Sequence, residues 1–421
     1  MSLPAATVWE VRNGGSDTNG GGFVRGGSGT DWSQQTSPQY SVTDGVLVGT
    51  TTVTSATAAF GTDVVDNIAN VDGAWYRIVS RTNSTTIVVD RNTGSGTGKT
   101  IKIGGAFASP GMAGSVMVAE NWLYIKYNAS AFVLSSASNN VAGGTLTPPS
   151  GNQDDGGDHF TYIIGYDTTR SRDNRDANRP TVQVPGAGVT SVNVINTVNV
   201  SNCVLANLIV DGNSKTGIVG FYCGNVAQVI YRCDALNCPT QGFNSAGGSS
   251  HMMFKECYAS GSGTGFYGLG AICVECVCQS GAGFDIEGGA LIRCIADSCS
   301  DFGFKINDFT IVDHCVSVNN TNDGFVAEYF NSGGECFNAC IAYGNGGYGW
   351  QTRAGFNMGY GVSLFNCAGG SNTSGNIRGS TTAMNIGFVT LTADPFTNRS
   401  GHDFSLNTAA GGGAALRGLT L

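Results

Sequence analysis

The chain has 421 residues, of which 64 are glycine, 41% are hydrophobic and only 12% are charged. The charged share is about half the usual one, so the sequence is neither a disordered polyelectrolyte nor a charge-laced coiled coil. Nine prolines with irregular glycine spacing exclude collagen, and a net charge of −9 without a basic run argues against nucleic acid as a partner.

Met1-Ser2-Leu3-Pro4 carries no basic n-region and no apolar h-region, so no signal peptide is expected. No run of ~18 apolar residues occurs, so no membrane span is expected either. Residues 1–45 read as an N-terminal cap with the first coils of a larger body. Residues 46–104 read as a small inserted β subdomain. Strand-like runs at 75–79 and 86–90 alternate there with turn signals such as Arg91-Asn92-Thr93-Gly94. The run Gly94-Ser95-Gly96-Thr97-Gly98-Lys99-Thr100 superficially matches a phosphate loop. The pattern needs Gly where Thr93 stands and a helix where Ile101-Lys102-Ile103 looks like strand, so a hairpin turn is expected. Residues 143–186 look loop-like, with Pro148-Pro149 and the mixed-charge stretch 170–176.

The body, 105–384, is marked by its cysteines. All 14 lie between 203 and 367. Aligned on Cys233, Cys257, Cys276, Cys294, Cys315, Cys340 and Cys367, the chain repeats at intervals of about 18–27 residues, the size of one solenoid coil. Three residues before each Cys stands an apolar side chain: Ile230, Phe254, Cys273, Leu291, Val312, Phe337, Leu364. After it comes a small one: Ala235, Ala259, Cys278, Ala296, Ser317, Ala342, Ala368. Asn or Cys recurs further on, at Cys238, Cys299, Asn320, Asn345 and Asn372. Then comes Gly followed by an aromatic: Phe243, Phe266, Phe284, Phe304, Phe325, Trp350.

Cys-x-Ala and Phe-x-Ile alternate with period two, which means strand. Coils stacked at the ~4.8 Å interstrand spacing place like residues on like. The expected fold is all-β: a right-handed parallel β-helix with Cys, Asn and aromatic ladders inside, the glycines supplying backbone conformations that a Cβ forbids. Residues 385–421 read as a C-terminal cap or tail, its Gly/Ala-rich end covering the last coil. Cys273-x-x-Cys276-x-Cys278 looks like a metal knuckle, but its members occupy three different repeat slots. Free, buried thiols and no metal are expected, because stacked strands hold Cβ atoms too far apart for disulfides.

Functional candidates are the outward residues. If the ladder aromatics point inward, the third residue beyond each points out: Glu287, Asn307, Glu328 and Arg353. Asp285 and Lys305 stack beside them. Glu287 and Glu328, two coils apart at roughly 9–10 Å, come near the spacing of the acid and base in inverting glycoside hydrolysis. A solvated face and a glycan-binding face fit the same residues. Trp9, Trp32, Tyr40, Tyr258 and Tyr267 are candidates to stack on a sugar or a partner. The four histidines are scattered without ligand spacing.

Three stretches carry a resemblance: Trp9-Glu10-Val11-Arg12-Asn13-Gly14-Gly15-Ser16-Asp17-Thr18-Asn19-Gly20-Gly21-Gly22-Phe23; the inserted module from about 53 to 105 with Trp75-Tyr76-Arg77-Ile78-Val79-Ser80; and Leu391-Thr392-Ala393-Asp394-Pro395-Phe396 with Asp403-Phe404-Ser405-Leu406. With the repeat, they resemble the pectate-lyase-like β-helix superfamily and, more narrowly, β-helix proteins of tailed bacteriophage particles. The resemblance implies a virion-located structural protein: a head decoration or cement protein, homotrimeric, touching capsid or tail proteins, without a cofactor. It equally accommodates a tailspike-type depolymerase or an adhesin that reads a host surface glycan. A solenoid that begins early and stops near the chain's end favours decoration.

Overall fold

A computed structural model of the chain describes residues 3–134, 145–151, 159–171, 175–186, 189–224, 227–245, 252–328, 335–352, 362–378 and 384–416. The chain forms two compact units, Met1–Asp211 and Gly212–Leu421.

In the first unit Thr7–Val11 pairs antiparallel with Gly22–Val24 and parallel with Trp122–Lys126, which pairs with Thr161–Tyr166 and through it with Cys203–Ala206. Residues 161–166 are fully buried strand, inside the segment expected to be loop. Their run Thr-Tyr-Ile-Ile-Gly-Tyr lacks alternation because both faces are covered, and such a strand shows no period of two. A six-stranded closed barrel is inserted between Tyr40 and Ile103. Its core holds Phe60, Ile78, Ile87 and Ile101, with Tyr40 and Trp32 packed on it. Position 46 falls inside the barrel's first strand, Tyr40–Val48, rather than at its edge. The run 95–100 also lies within a barrel strand, Ser95–Ile103, not in a turn.

The second unit is built from coils of three strands. One coil runs Ala271–Val274, Val277–Gln279 and Phe284–Glu287, and the next begins at Ala290–Ile292. Each strand pairs parallel with its counterpart one coil on, giving three parallel sheets. The fold is a parallel β-helix.

The ladders stack in register. Cys273 faces Leu291, Cys278 faces Ala296 and Phe284 faces Phe304. The aromatic column extends one coil further back than expected, to Phe221, with centroid spacings of 4.8 Å at Phe221–Phe243, 4.6 Å at Phe266–Phe284 and 4.9 Å at Phe304–Phe325. One slot needs correcting: Ala342 faces Gly369, while Ala368 faces Ile341. Asn320 Nδ2 donates to Asn345 Oδ1, and Asn345 Nδ2 to Asn372 Oδ1, each at 2.9 Å. All fourteen cysteines are free thiols, and Cys336 alone is not buried.

The expected role of glycine holds only in part. Gly283 has φ +84°, but Gly265 and Gly303 are not in the left-handed region. They are glycine because a Cβ at Gly265 would strike Cys278 Sγ, and one at Gly303 would strike Ser317 Oγ. The recurring left-handed corner lies elsewhere, at the residue before each ladder cysteine: Arg232, Glu256, Glu275, Arg293, His314, Ala339 and Asn366, with φ of 50–56°.

The described part of the tail packs along a flank that includes Leu391 of the last coil. Phe396 and Leu416 pack with Val318, Ile341 and Tyr343 on the outer side of the second sheet. His402 Nδ1 lies 2.5 Å from Asp297 Oδ2. No helix among the described residues is long and apolar enough to cross a membrane.

Candidate functional site

The third sheet presents alternating faces. Phe284, Ile286, Phe304 and Ile306 point into the core, so Asp285, Glu287, Lys305 and Asn307 point out. The register aligns Tyr267 with Asp285 and then Lys305, and Leu269 with Glu287 and then Asn307. Glu328 follows in the next coil, its backbone N–H donating to Ile306 O at 3.1 Å. Together Tyr267, Gly268, Leu269, Asp285, Glu287, Lys305, Asn307 and Glu328 line a hollow of about 180 Å³. Five of the six outward residues expected from sequence thus meet in one place. The sixth, Arg353, lies outside the described residues. Leu269 was missed, although it occupies the same slot, three residues beyond Phe266.

The charges are unevenly matched. Lys305 Nζ sits 3.2 Å from Asp285 Oδ2 and 2.8 Å from Glu328 Oε2. Those two distances keep Asp285 Oδ2 and Glu328 Oε2 within about 6 Å of each other. The ammonium therefore joins Asp285 to Glu328, whereas sequence spacing had singled out Glu287 with Glu328. Burial pushes the Asp285 carboxyl up from its ordinary value; Lys305 counters this and Glu328 adds to it. Burial alone would lower the Lys305 ammonium, but its bonds to the two carboxylates outweigh that and hold it above its usual value. It is a fixed cation, not a base. Glu287 has no salt-bridge or hydrogen-bond partner for its carboxylate among the described residues. Asn307 is only 8% exposed, and its Oδ1 has no donor.

Beyond the hollow's rim, Asp308 and Phe309 both have left-handed backbones, φ 36° and 54°. Asp308 Oδ1 and both oxygens of Glu335 are buried without partners. Burial, assisted by Asp308, pushes Glu335 up to about 7. No repeat slot marked either residue.

The other sequence candidates fall elsewhere. Trp9 and Trp32 are core residues, not exposed stacking platforms: Trp9 stacks on Phe107 at 5.7 Å, and Trp32 belongs to the barrel core. Tyr40 packs on the barrel and Tyr258 donates to Gln279 Oε1 at 2.5 Å, leaving Tyr267, 40% exposed, as the aromatic open to a ligand. In the stretch 170–176, Arg170 bonds the fully buried Glu10 at 2.7 Å and Asp31 at 2.8 Å, a structural clamp. His251 lies outside the described residues, and His314 contacts Asp313 at 2.9 Å. No group of three or more His, Cys, Asp or Glu among the described residues is arranged to hold a metal ion.

Three parallel sheets and an outward polar hollow define a parallel β-helix protein with a solvent-facing site. No protein-family model matches the chain, and no curated protein matches it in sequence. Among solved structures it is similar to the A-module of a mannuronan C-5 epimerase from Azotobacter vinelandii, at 13% identity and TM-score 0.47, over 68% of this chain and 76% of that one. It is similar to a pectate lyase at 14% identity and TM-score 0.48, over 69% and 78%. It is also similar to a protein of Geobacillus virus E2 at 12% identity and TM-score 0.38, over 64% and 52%.

Proposed function

We propose that this β-helix is a glycan-binding protein that holds part of a polysaccharide chain in the hollow on its third sheet. The carrying observation is Asn307. A buried acceptor with no donor costs about 1–3 kcal/mol, and a ligand hydroxyl would recover it. Tyr267 and Leu269 supply an apolar wall, and the charged groups sit opposite. At about 180 Å³ the hollow is smaller than the ~300–1,000 Å³ of sites that enclose a whole drug-sized ligand, which suits one stretch of a longer polymer. Capsid decoration makes no demand on an unpartnered buried acceptor; glycan recognition does. A homotrimeric virion fibre is a compatible setting, and sedimentation of the purified chain tests the trimer.

A second reading adds chemistry. Asp285 retains its proton to higher pH than an ordinary aspartate, and Glu328 shares the same ammonium. A proton-holding acid beside a second carboxylate is the pair that glycoside cleavage uses. A glycan array with the wild-type chain and Asn307→Ala tests binding: hits that weaken at least tenfold at unchanged Tm support it, and an empty array removes it. Reducing-sugar release from the array hits, abolished in Asp285→Asn, would establish cleavage; no release leaves a binder.

A further inference from the structure

Resting on the glycan-binding reading, we infer that the hollow selects a glycan bearing free, protonated amino groups, a de-N-acetylated hexosamine polymer, rather than an acidic one. Three carboxylates, Asp285, Glu287 and Glu328, line the hollow against one cation among the described lining residues. That cation is spent: the Lys305 ammonium already lies against Asp285 and Glu328. Among the described residues no lining cation remains to receive a uronate or sialate carboxylate, and an acidic sugar would meet like charge at close range.

The two groups left over are both acceptors. Glu287 has an unpaired carboxylate, and its neighbour across one strand spacing, Asn307, offers an Oδ1 with no donor. An accepting pair needs a donor. A hydroxyl satisfies one of them, whereas an ammonium carries three N–H groups and the opposite charge, so it serves both. An N-acetyl group would put a single N–H and a methyl where the carboxylate expects charge. Tyr267, facing the neighbouring Asp285 strand position, provides the wall for the sugar ring itself.

The experiment is isothermal titration of the full chain at pH 6 with four probes: a glucosamine tetramer, its N-acetylated form, a tetragalacturonate and trilysine. At low salt the glucosamine tetramer is expected to bind at least tenfold tighter than its N-acetylated form, with no binding of the uronate. Added salt erodes that margin, and Glu287→Gln removes it. Equal affinity for the two hexosamine probes, or preference for the uronate, overturns the inference but keeps the glycan site. Trilysine binding as tightly as the amino sugar also overturns it, in favour of a peptide ligand. If none of the sugars binds, here or on the array, the glycan reading itself fails.

Discussion

The Cys294 thiol donates to the backbone carbonyl of Cys273, one coil back, at 3.3 Å. The relation recurs along the ladder: Cys257 to Ile230 O, Cys276 to Phe254 O and Cys315 to Leu291 O, at 3.3, 3.3 and 3.4 Å. Each thiol reaches the apolar-slot residue of the preceding coil. Cysteine suits the position because it is a small hydrophobe with one weak donor. Cys294→Ala removes the donor and opens a void at a site with no exposure. We expect a loss of about 1–3 kcal/mol in chemical denaturation, with Cys294→Ser retaining a donor but burying a more polar group.

The same burial governs reactivity. It pushes the Cys257, Cys276 and Cys315 thiols well above their ordinary value; at Cys294 and Cys340 burial is outweighed by hydrogen bonds from neighbouring ladder thiols and the shift is downward, so what protects those sulfurs is that reagent cannot reach them. Native protein treated with iodoacetamide at pH 8 is expected to label at Cys336 alone, the one cysteine that is not buried. Denatured protein should label at all fourteen. Rapid native labelling at several sites would mean that the ladder opens readily.

The aromatic column runs through the interior coil by coil. Phe304 is fully buried between Phe284 and Phe325, at 4.8 and 4.9 Å, with near-parallel rings. Phe304→Ala should cost about 3–5 kcal/mol. Phe304→Leu keeps most of the volume but not the stacking and should cost less. A urea midpoint series separates the two.

Much of this was legible in the sequence, for a physical reason. Parallel coils in register force like residues onto like, so the repeat of Cys294, Ala296 and Phe304 slots writes the sheet pairing directly into the chain. Parity then placed Asp285, Glu287, Lys305, Asn307 and Glu328 outside. Three features escaped. The left-handed corner before each ladder cysteine is occupied by Arg, Glu, His or Ala in six of seven coils, residue types that mark no turn, because the strands on either side impose the conformation against a local cost of about 1–2 kcal/mol. The partnering of Lys305 with Asp285 and Glu328 depends on where long side chains reach, which strand spacing does not fix. Glu335 escaped for a third reason: its burial comes from tertiary surroundings, not from any slot.

Glu335 gives a pH-dependent stability. Its folded value of about 7 lies above the unfolded carboxyl value of 4.5. Between those limits the folded state binds more protons than the unfolded one, so stability falls as pH rises. Below the window the protonated group costs little; above it the buried charge costs up to about 3 kcal/mol. Glu335→Gln should therefore stabilise the protein at pH 8 and change little at pH 4. Denaturation midpoints of wild type and variant, taken across pH 4–8, should diverge upward through the window. Parallel curves would show that Glu335 is solvated and ordinary.

Lys305 separates the hollow's electrostatics from its architecture. Its side chain is 21% exposed, and those of Asp285 and Glu328 are 18% and 8% exposed, so solvent screens the pairs only in part. Lys305→Met keeps the aliphatic stem and removes the charge. Asp285 then loses the cation that offsets its burial while keeping the repulsion from Glu328, so its proton affinity must rise. Since the folded Asp285 value already lies above the unfolded one, the variant's added instability should grow as pH rises. At neutral pH we expect roughly 1–3 kcal/mol, below the cost of breaking a fully buried pair. Glu328→Gln in the Lys305→Met background removes the remaining repulsion and should recover part of that loss. If Lys305→Met were equally destabilising at pH 4 and pH 8, the side chain would matter through packing alone, and the ion pairs would contribute nothing.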